Sequence, residues 1–153
     1  MPVIVIGADT RHGLPVVDAL LPRQGEVRVF VTDEAAAHDF RARGAKVAIG
    51  DVSDGSHVGG AALNAFCAVL LADAADDDRI RSFAENPEAV MDAWAEGIED
   101  AGVRRVIFVP GGTVEEPSAT LAASSSEFVA ISSSADGSIV ATKVAELEDA
   151  ASV

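Results

Sequence analysis

The chain has 153 residues, a net charge of −14, 49% hydrophobic residues, one cysteine and no tyrosine. That length suits a single domain over residues 1–153 with its own core, and one cysteine, Cys67, excludes an internal disulfide and a cysteine-based zinc site. The acidic balance argues against nucleic acid and anionic membrane surfaces as partners, because both are polyanions that need a basic face.

Val3–Ile6 is a continuous apolar run ending in Gly7, the pattern of a strand buried on both faces. A glycine-containing turn leads to a helix over Leu14–Leu21, closed by Pro22. Val27–Val31 is a second strand. Asp33 is a good N-cap for a helix over Glu34–Arg43, with Gly44 just past its end. Lys46–Ile49 is a third strand, followed by Gly50 and Asp51. A helix begins at Asp54 or Ser56 and runs to about Asn64, with Gly59 and Gly60 each weakening it by roughly 1 kcal/mol.

Phe66–Leu71 is a fourth strand. Asn86 caps the clearest helix, Pro87 sits at its first position, and Gly102 closes it. Val90, Trp94 and Ile98 form its apolar stripe. Val103–Val109 is a fifth strand. Pro110–Ser126 is a loop with a short helix near Ala119, Phe128–Ser132 a sixth strand, and Ile139–Ala151 a final helix with Val140, Val144 and Leu147 on one face. Strands alternating with helices predict a doubly wound Rossmann-like α/β domain. Its mostly parallel sheet has five or six strands, with helices on both faces and the order 3-2-1-4-5 for the first five. No apolar run approaches the roughly 18 residues of a membrane span, and no charged-then-apolar leader opens the chain, so it reads as cytoplasmic.

The stretch that carries chemistry runs from Val3 to Gly13. A strand ends at Gly7 and a helix starts near Gly13, the place where a pyrophosphate sits on helix N–H groups. Gly7 permits a tight turn, Gly13 permits close packing of helix on strand, and Thr10 takes the middle position where glycine lets the backbone approach phosphate. Asp9, Thr10, Arg11 and His12 complete the loop, with Arg11 and His12 either phosphate contacts or solvated loop residues. Gly50-Asp51-Val52 follows the third strand. The Asp51 carboxylate either accepts from an adenine amino group or caps the turn, and the Val52 backbone can read another edge of the same ring.

These residues resemble the NmrA-like branch of the atypical short-chain dehydrogenase/reductase family. The family opening Gly-Ala-Thr-Gly-x-x-Gly, then Val-Val-x-Ala-Leu-Leu, is matched by Gly7–Gly13 and Val16–Leu21. Its Gly-Ala-x-Val-x-x-Gly-Asp is matched by Gly44–Asp51, its Ala-Gly-Val-x-Arg-Val-x-Phe-Val by Ala101–Val109, and Lys143 with Glu146 is similar to its later Ser-Lys-x-x-x-Glu helix. The resemblance implies a NAD or NADP cofactor and oxidoreductase chemistry.

There are departures. Thr10 replaces the middle glycine, Pro110-Gly111 replaces a serine after the fifth strand, and Thr32 stands where a basic residue often holds the NADP 2′-phosphate, with Arg11 as an alternative cation. With no tyrosine, the Tyr-x-x-x-Lys acid–base pair is absent, and the catalytic residues stay unassigned. Two readings follow: a small NAD(P)-dependent oxidoreductase, or a non-catalytic sensor, regulatory or interaction subunit on the same fold.

Four other groups are weighed. Asp73 and Asp76–Asp78 are a solvated acidic loop or a cation site, and the first of these is the default, so no metal is expected. Were they to face the site, they would repel a pyrophosphate. Cys67 reads as a buried small hydrophobe, and Lys143, His38 and His57 as surface residues on helices. The chain stops where the family builds its substrate-binding part, and the uncovered face predicts a homodimer through Val140, Val144 and Leu147.

Overall fold

Val3–Ile6 (β1) carries no polar side chain, and every residue of it is buried, as a central strand requires. The computed structural model describes residues 1–76, 82–134 and 136–153. From β1 the chain runs through α1 (Gly13–Leu20), β2 (Val27–Val31), α2 (Glu34–Ala42), β3 (Lys46–Ile49), α3 (Gly55–Ala62), β4 (Cys67–Leu71) and α4 (Asp73–Asp76). It continues through α5 (Pro87–Ala101), β5 (Arg105–Val109), α6 (Ala119–Ala122), β6 (Glu127–Ala130) and α7 (Gly137–Asp149).

The six strands form one parallel sheet in the order β3-β2-β1-β4-β5-β6. The expected order of the first five is found, and β6 extends it beyond β5. Val5 pairs with Val29 of β2 on one side and Val69 of β4 on the other. The chain therefore reverses its direction of winding between β1 and β4, and the crevice outside their carboxyl ends is where ligands bind in such sheets.

Side-chain alternation sorts the sheet into two cores. Ile4, Ile6, Phe30, Leu70, Val106 and Phe108 join Val58 of α3 and Trp94 and Ile98 of α5. Val3, Val5, Val29, Val31, Val69 and Ile107 join Val16 of α1, Phe40 of α2 and Val144 of α7. Each buried Val, Leu or Ile contributes about 1.5–3 kcal/mol relative to exposure, so β1, β4 and β5, buried on both faces, anchor the fold.

The helix signals act as read. Asp33 accepts from the Ala35 N–H at 2.9 Å and Asn86 from the Ala89 N–H at 2.9 Å, while Gly102 ends α5 at a φ of +75°. Gly59 has a use that its low helix propensity hides. A Cβ there would fall 3.1 Å from the Gly97 Cα of α5, so paired glycines let α3 and α5 meet backbone to backbone. The Trp94 indole N–H donates to the Val52 carbonyl at 2.8 Å and ties α5 to the turn after β3.

Two expectations change. Asp73–Asp76 is a single helical turn rather than a solvated loop, with Ala74 and Ala75 buried; Asp77 and Asp78 lie outside the described residues. The apolar stripe of α7 turns inward against α1: Val140 and Val144 are buried in this chain's own core and Leu147 packs on it. That stripe is closed to a partner, because its own sheet covers it.

Candidate functional site

The β1–α1 connection is two successive tight turns. The Thr10 N–H donates to the Gly7 carbonyl at 3.0 Å, and the Gly13 N–H donates to the Thr10 carbonyl at 3.1 Å. Gly7 sits at φ +83°, and a Cβ on it would fall 2.5 Å from the Ala74 Cβ. A Cβ on Gly13 would fall 1.6 Å from the Ala8 carbonyl oxygen. Both glycines are therefore required by contact, as the sequence suggests. Thr10 is tolerated for a physical reason: among the described non-glycine residues only Asn64 has a positive φ, so position 10 does not need glycine's freedom. Its hydroxyl donates back to the Gly7 carbonyl at 2.7 Å and locks the first turn.

The loop opens on the first turn of α1. Helices α2, α3, α5 and α7 each have a side chain accepting from their first N–H groups, but α1 has none. Its N-cap is His12, only 2% exposed, whose Nδ1 has no hydrogen-bond partner among the described residues. Burial, reinforced by Arg11 and opposed by Asp73, holds the His12 imidazole below its ordinary pKa. His12 is thus a buried neutral group at the crevice, not the solvated loop residue that its sequence context suggests. Arg11 beside it is exposed.

Asp73 faces the same place from the end of β4. Its Oδ2 is buried without a hydrogen-bond partner among the described residues, and its carboxylate lies against Gly111, where a Cβ would overlap it. His12, Asp73 and Gly111 therefore come together where β1, β4 and β5 end. Asp76 is engaged elsewhere, accepting from the Thr113 hydroxyl at 2.6 Å and its N–H at 3.1 Å. Among the described residues, no three His, Cys, Asp or Glu side chains gather as metal ligands.

Asp51 and Val52 stand at the same sheet edge, after β3. The Asp51 carboxylate accepts from the Ser53 N–H at 2.9 Å, the Ser53 hydroxyl at 2.6 Å and the Ser82 N–H at 2.6 Å. Desolvation works against its ionised form, but these hydrogen bonds outweigh it and hold the carboxyl below its ordinary range. Turn capping is thus an observed role for Asp51. Asp9, only a loop member in the sequence, reaches across to the end of β2, where its Oδ2 accepts from the N–H groups of Thr32 at 3.0 Å and Asp33 at 2.8 Å. No sequence pattern marks that bond, since it depends on two neighbouring strands ending level.

The remaining candidates lie off this crevice. Cys67 is fully buried in β4, and desolvation pushes its thiol up to about 12, which leaves it inert. Lys143 is exposed on α7, beside a groove of about 410 Å³ lined by Ile131, Ser132–Ser134, Ile139 and Val140. His38 and His57 are both exposed, as expected, with the His57 ring against Gly50 and edge-on to Phe30. A larger hollow of about 560 Å³, between Arg23 and Arg105, lies at the far end from the carboxyl ends of the strands; its arginines are paired with Glu148 and Glu127.

This geometry agrees with what the chain is similar to. No curated protein matches its sequence. Among solved structures, the anaerobillin reductase ChuY from Escherichia coli O157:H7 superposes with a TM-score of 0.74 at 18% identity, over 99% of this chain and 92% of that one. The Citrobacter sp. triphenylmethane reductase complexed with NADP(H) gives 0.60 at 15% identity, over 95% of this chain and 46% of that one. An NADPH-dependent quinone oxidoreductase from E. coli gives 0.56 at 17% identity, over 71% of this chain and 36% of that one. The chain thus spans nearly all of the first and under half of the other two. A family model described as NAD(P)H-binding matches residues 7–146, from the first loop glycine into the last helix. The chain belongs to this NAD(P)H-binding family.

Proposed function

We propose that the chain is a small NAD(P)H-dependent reductase whose dinucleotide lies across Gly7, Asp9, Thr10, Arg11, His12 and Gly13, with Asp51 and Val52 flanking the adenine. The observation that carries this reading is the unsatisfied pair at the crevice. A buried polar atom without a partner costs about 1–3 kcal/mol, and His12 Nδ1 and Asp73 Oδ2 lie at the crevice by the start of α1, which lacks a side-chain cap. A bound dinucleotide offers hydroxyl and amide donors to the Asp73 carboxylate, with its pyrophosphate kept to the α1 end of the crevice, away from the like charge that would repel it.

The cofactor, when bound, supplies a hydride; the chain's residues bind and orient it and hold the proton. His12, a buried imidazole at the crevice held below its ordinary pKa by desolvation, is the residue we assign to proton handling in the absence of a tyrosine. Electron-poor conjugated acceptors fit this arrangement, since their reduction asks little of a side-chain acid. Two of the similar structures are described as an anaerobillin reductase and as a triphenylmethane reductase in dye bioremediation.

The absence of tyrosine and the Pro110-Gly111 pair after β5 favour a second reading, a dinucleotide-binding subunit without turnover. Titration with NADH and NADPH, followed by consumption assays with a quinone, a triphenylmethane dye and anaerobillin, separates the two. Turnover of any one supports the reductase, binding without turnover supports the subunit, and no binding of either nucleotide sinks both.

We also propose a cytoplasmic homodimer. On α7 the apolar surface open to contact is exposed Ile139 and its groove, since Val140 and Val144 are covered. A monomer mass by light scattering at tens of micromolar and 0.15 M salt would refute the dimer.

A further inference from the structure

We propose that the site selects NADH over NADPH, with Asp9 as the specificity-determining residue and Asp33 in support; this rests on the dinucleotide reading above. The two cofactors differ by one phosphate on the adenosine ribose. In a sheet wound this way that ribose lies against the end of β2, where an acidic side chain suits the free 2′-hydroxyl and a basic one suits the phosphate.

Here β2 ends at Val31 and is followed by Thr32, Asp33 and Glu34, with no cation among them. A phosphate at this point would draw on the backbone N–H groups that lead into α2. Those of Thr32 and Asp33 are already taken by Asp9 Oδ2, and that of Ala35 by the Asp33 carboxylate. Two carboxylates thus occupy the donors that the phosphate would need. Arg43, at the far end of α2, is paired with Asp18 at 2.8 Å and Asp39 at 3.4 Å. Arg11 is one cation of the same loop set against Asp9, Asp33 and Glu34. A dianionic 2′-phosphate therefore meets like charge and occupied donors, whereas a ribose hydroxyl meets carboxylate acceptors.

The full chain is titrated with NADH and with NADPH at low and high salt, reading the dihydronicotinamide fluorescence. NADH binds at least ten-fold more tightly at low salt, and the gap narrows at high salt as the repulsion is screened. Asp9→Asn keeps an oxygen for the two N–H groups but removes the charge. It raises NADPH affinity several-fold and weakens NADH binding several-fold, so the preference collapses; an unchanged ratio of the two affinities overturns the role of Asp9. Equal or tighter NADPH binding by the unaltered chain overturns the selectivity and leaves the dinucleotide reading standing. Binding of neither nucleotide overturns that reading and the selectivity with it.

Discussion

The Ala8 carbonyl oxygen lies where a Cβ on Gly13 would stand, 1.6 Å from its ideal position. Residue 13 therefore cannot carry a side chain unless α1 moves away from the end of β1, and that movement would open the crevice itself.

Gly13→Ala is the direct consequence. Overlap with backbone cannot be relieved by a rotamer change, so the cost lies at the upper end for overpacking, about 3 kcal/mol. For a chain of this size that lowers the melting temperature by roughly 6–12 °C. Dinucleotide binding is lost as well. A variant with unchanged melting and unchanged NADH affinity would show that the close approach is not needed.

Thr10 separates loop stability from cofactor access. Its hydroxyl bond to the Gly7 carbonyl is kept in Thr10→Ser, which removes only the methyl that, on the proposed dinucleotide reading, crowds the phosphates. That variant binds NADH more tightly with unchanged melting. Thr10→Gly also binds more tightly, but it loses the hydroxyl bond and gains unfolded-state entropy, costing about 1–2 kcal/mol. Calorimetric melts alongside binding titrations check both, and weaker binding by the serine variant would mean that the methyl is not in the way.

His12 makes the stability depend on pH. Its folded-state pKa is lowered, chiefly by burial and further by Arg11, against a smaller opposing pull from Asp73. The unfolded chain therefore takes up the proton first as pH falls, and stability drops below about pH 6.5, the ordinary histidine value. His12→Gln removes this dependence, so its melting temperature falls less than that of the unaltered chain between pH 7.5 and 5.5. Parallel slopes for the two proteins would place the imidazole in solvent.

Much of the fold is legible because apolar runs bounded by glycine and proline leave little choice. Val3–Ile6, Val27–Val31 and Lys46–Ile49 are strands with the same ends in sequence and structure, and Asn86-Pro87 to Gly102 frames α5. What escapes is whatever depends on a neighbour. Asp73–Asp76 reads as a solvated acidic loop because its two alanines show their burial only once β4 and α5 surround them. Gly59 reads as a weakness until Gly97 lies opposite. In the site, Gly7 and Gly13 are legible because backbone geometry demands them. Asp9 is visible only as a loop residue, and its partners Thr32 and Asp33 lie 23 and 24 positions away.

Arg105 is the largest omission, and it decides how α7 is held. In sequence it is a polar interruption of a buried strand, and a strand arginine is expected at an exposed edge. In the structure it is 1% exposed. Its Nη1 donates to the carbonyls of Leu147 at 2.9 Å, Glu148 at 3.0 Å and Ala150 at 2.6 Å, and its Nη2 pairs with Glu127 at 3.0 Å. The guanidinium also stacks over Phe66, 5.0 Å from the ring centre. α7 has no basic residue in its own last turn, so its terminal carbonyls would otherwise lack both donors and a complementary charge. Arg105→Met fills the volume but strands those carbonyls and Glu127, and costs about 3 kcal/mol or more. Arg105→Lys recovers only part, because a point charge cannot reproduce a planar fork. Glu127 is held below its ordinary range, first by the Arg105 hydrogen bond. Its share of the stability is present above about pH 4, the usual carboxylate value, and is lost as pH falls through its lowered folded value. Hydrogen exchange resolves the effect by element: in Arg105→Met the amides of α7 lose protection before those of β1 and β4. Uniform loss across the sheet would mean instead that Arg105 acts through the strand it belongs to and not through the helix it caps.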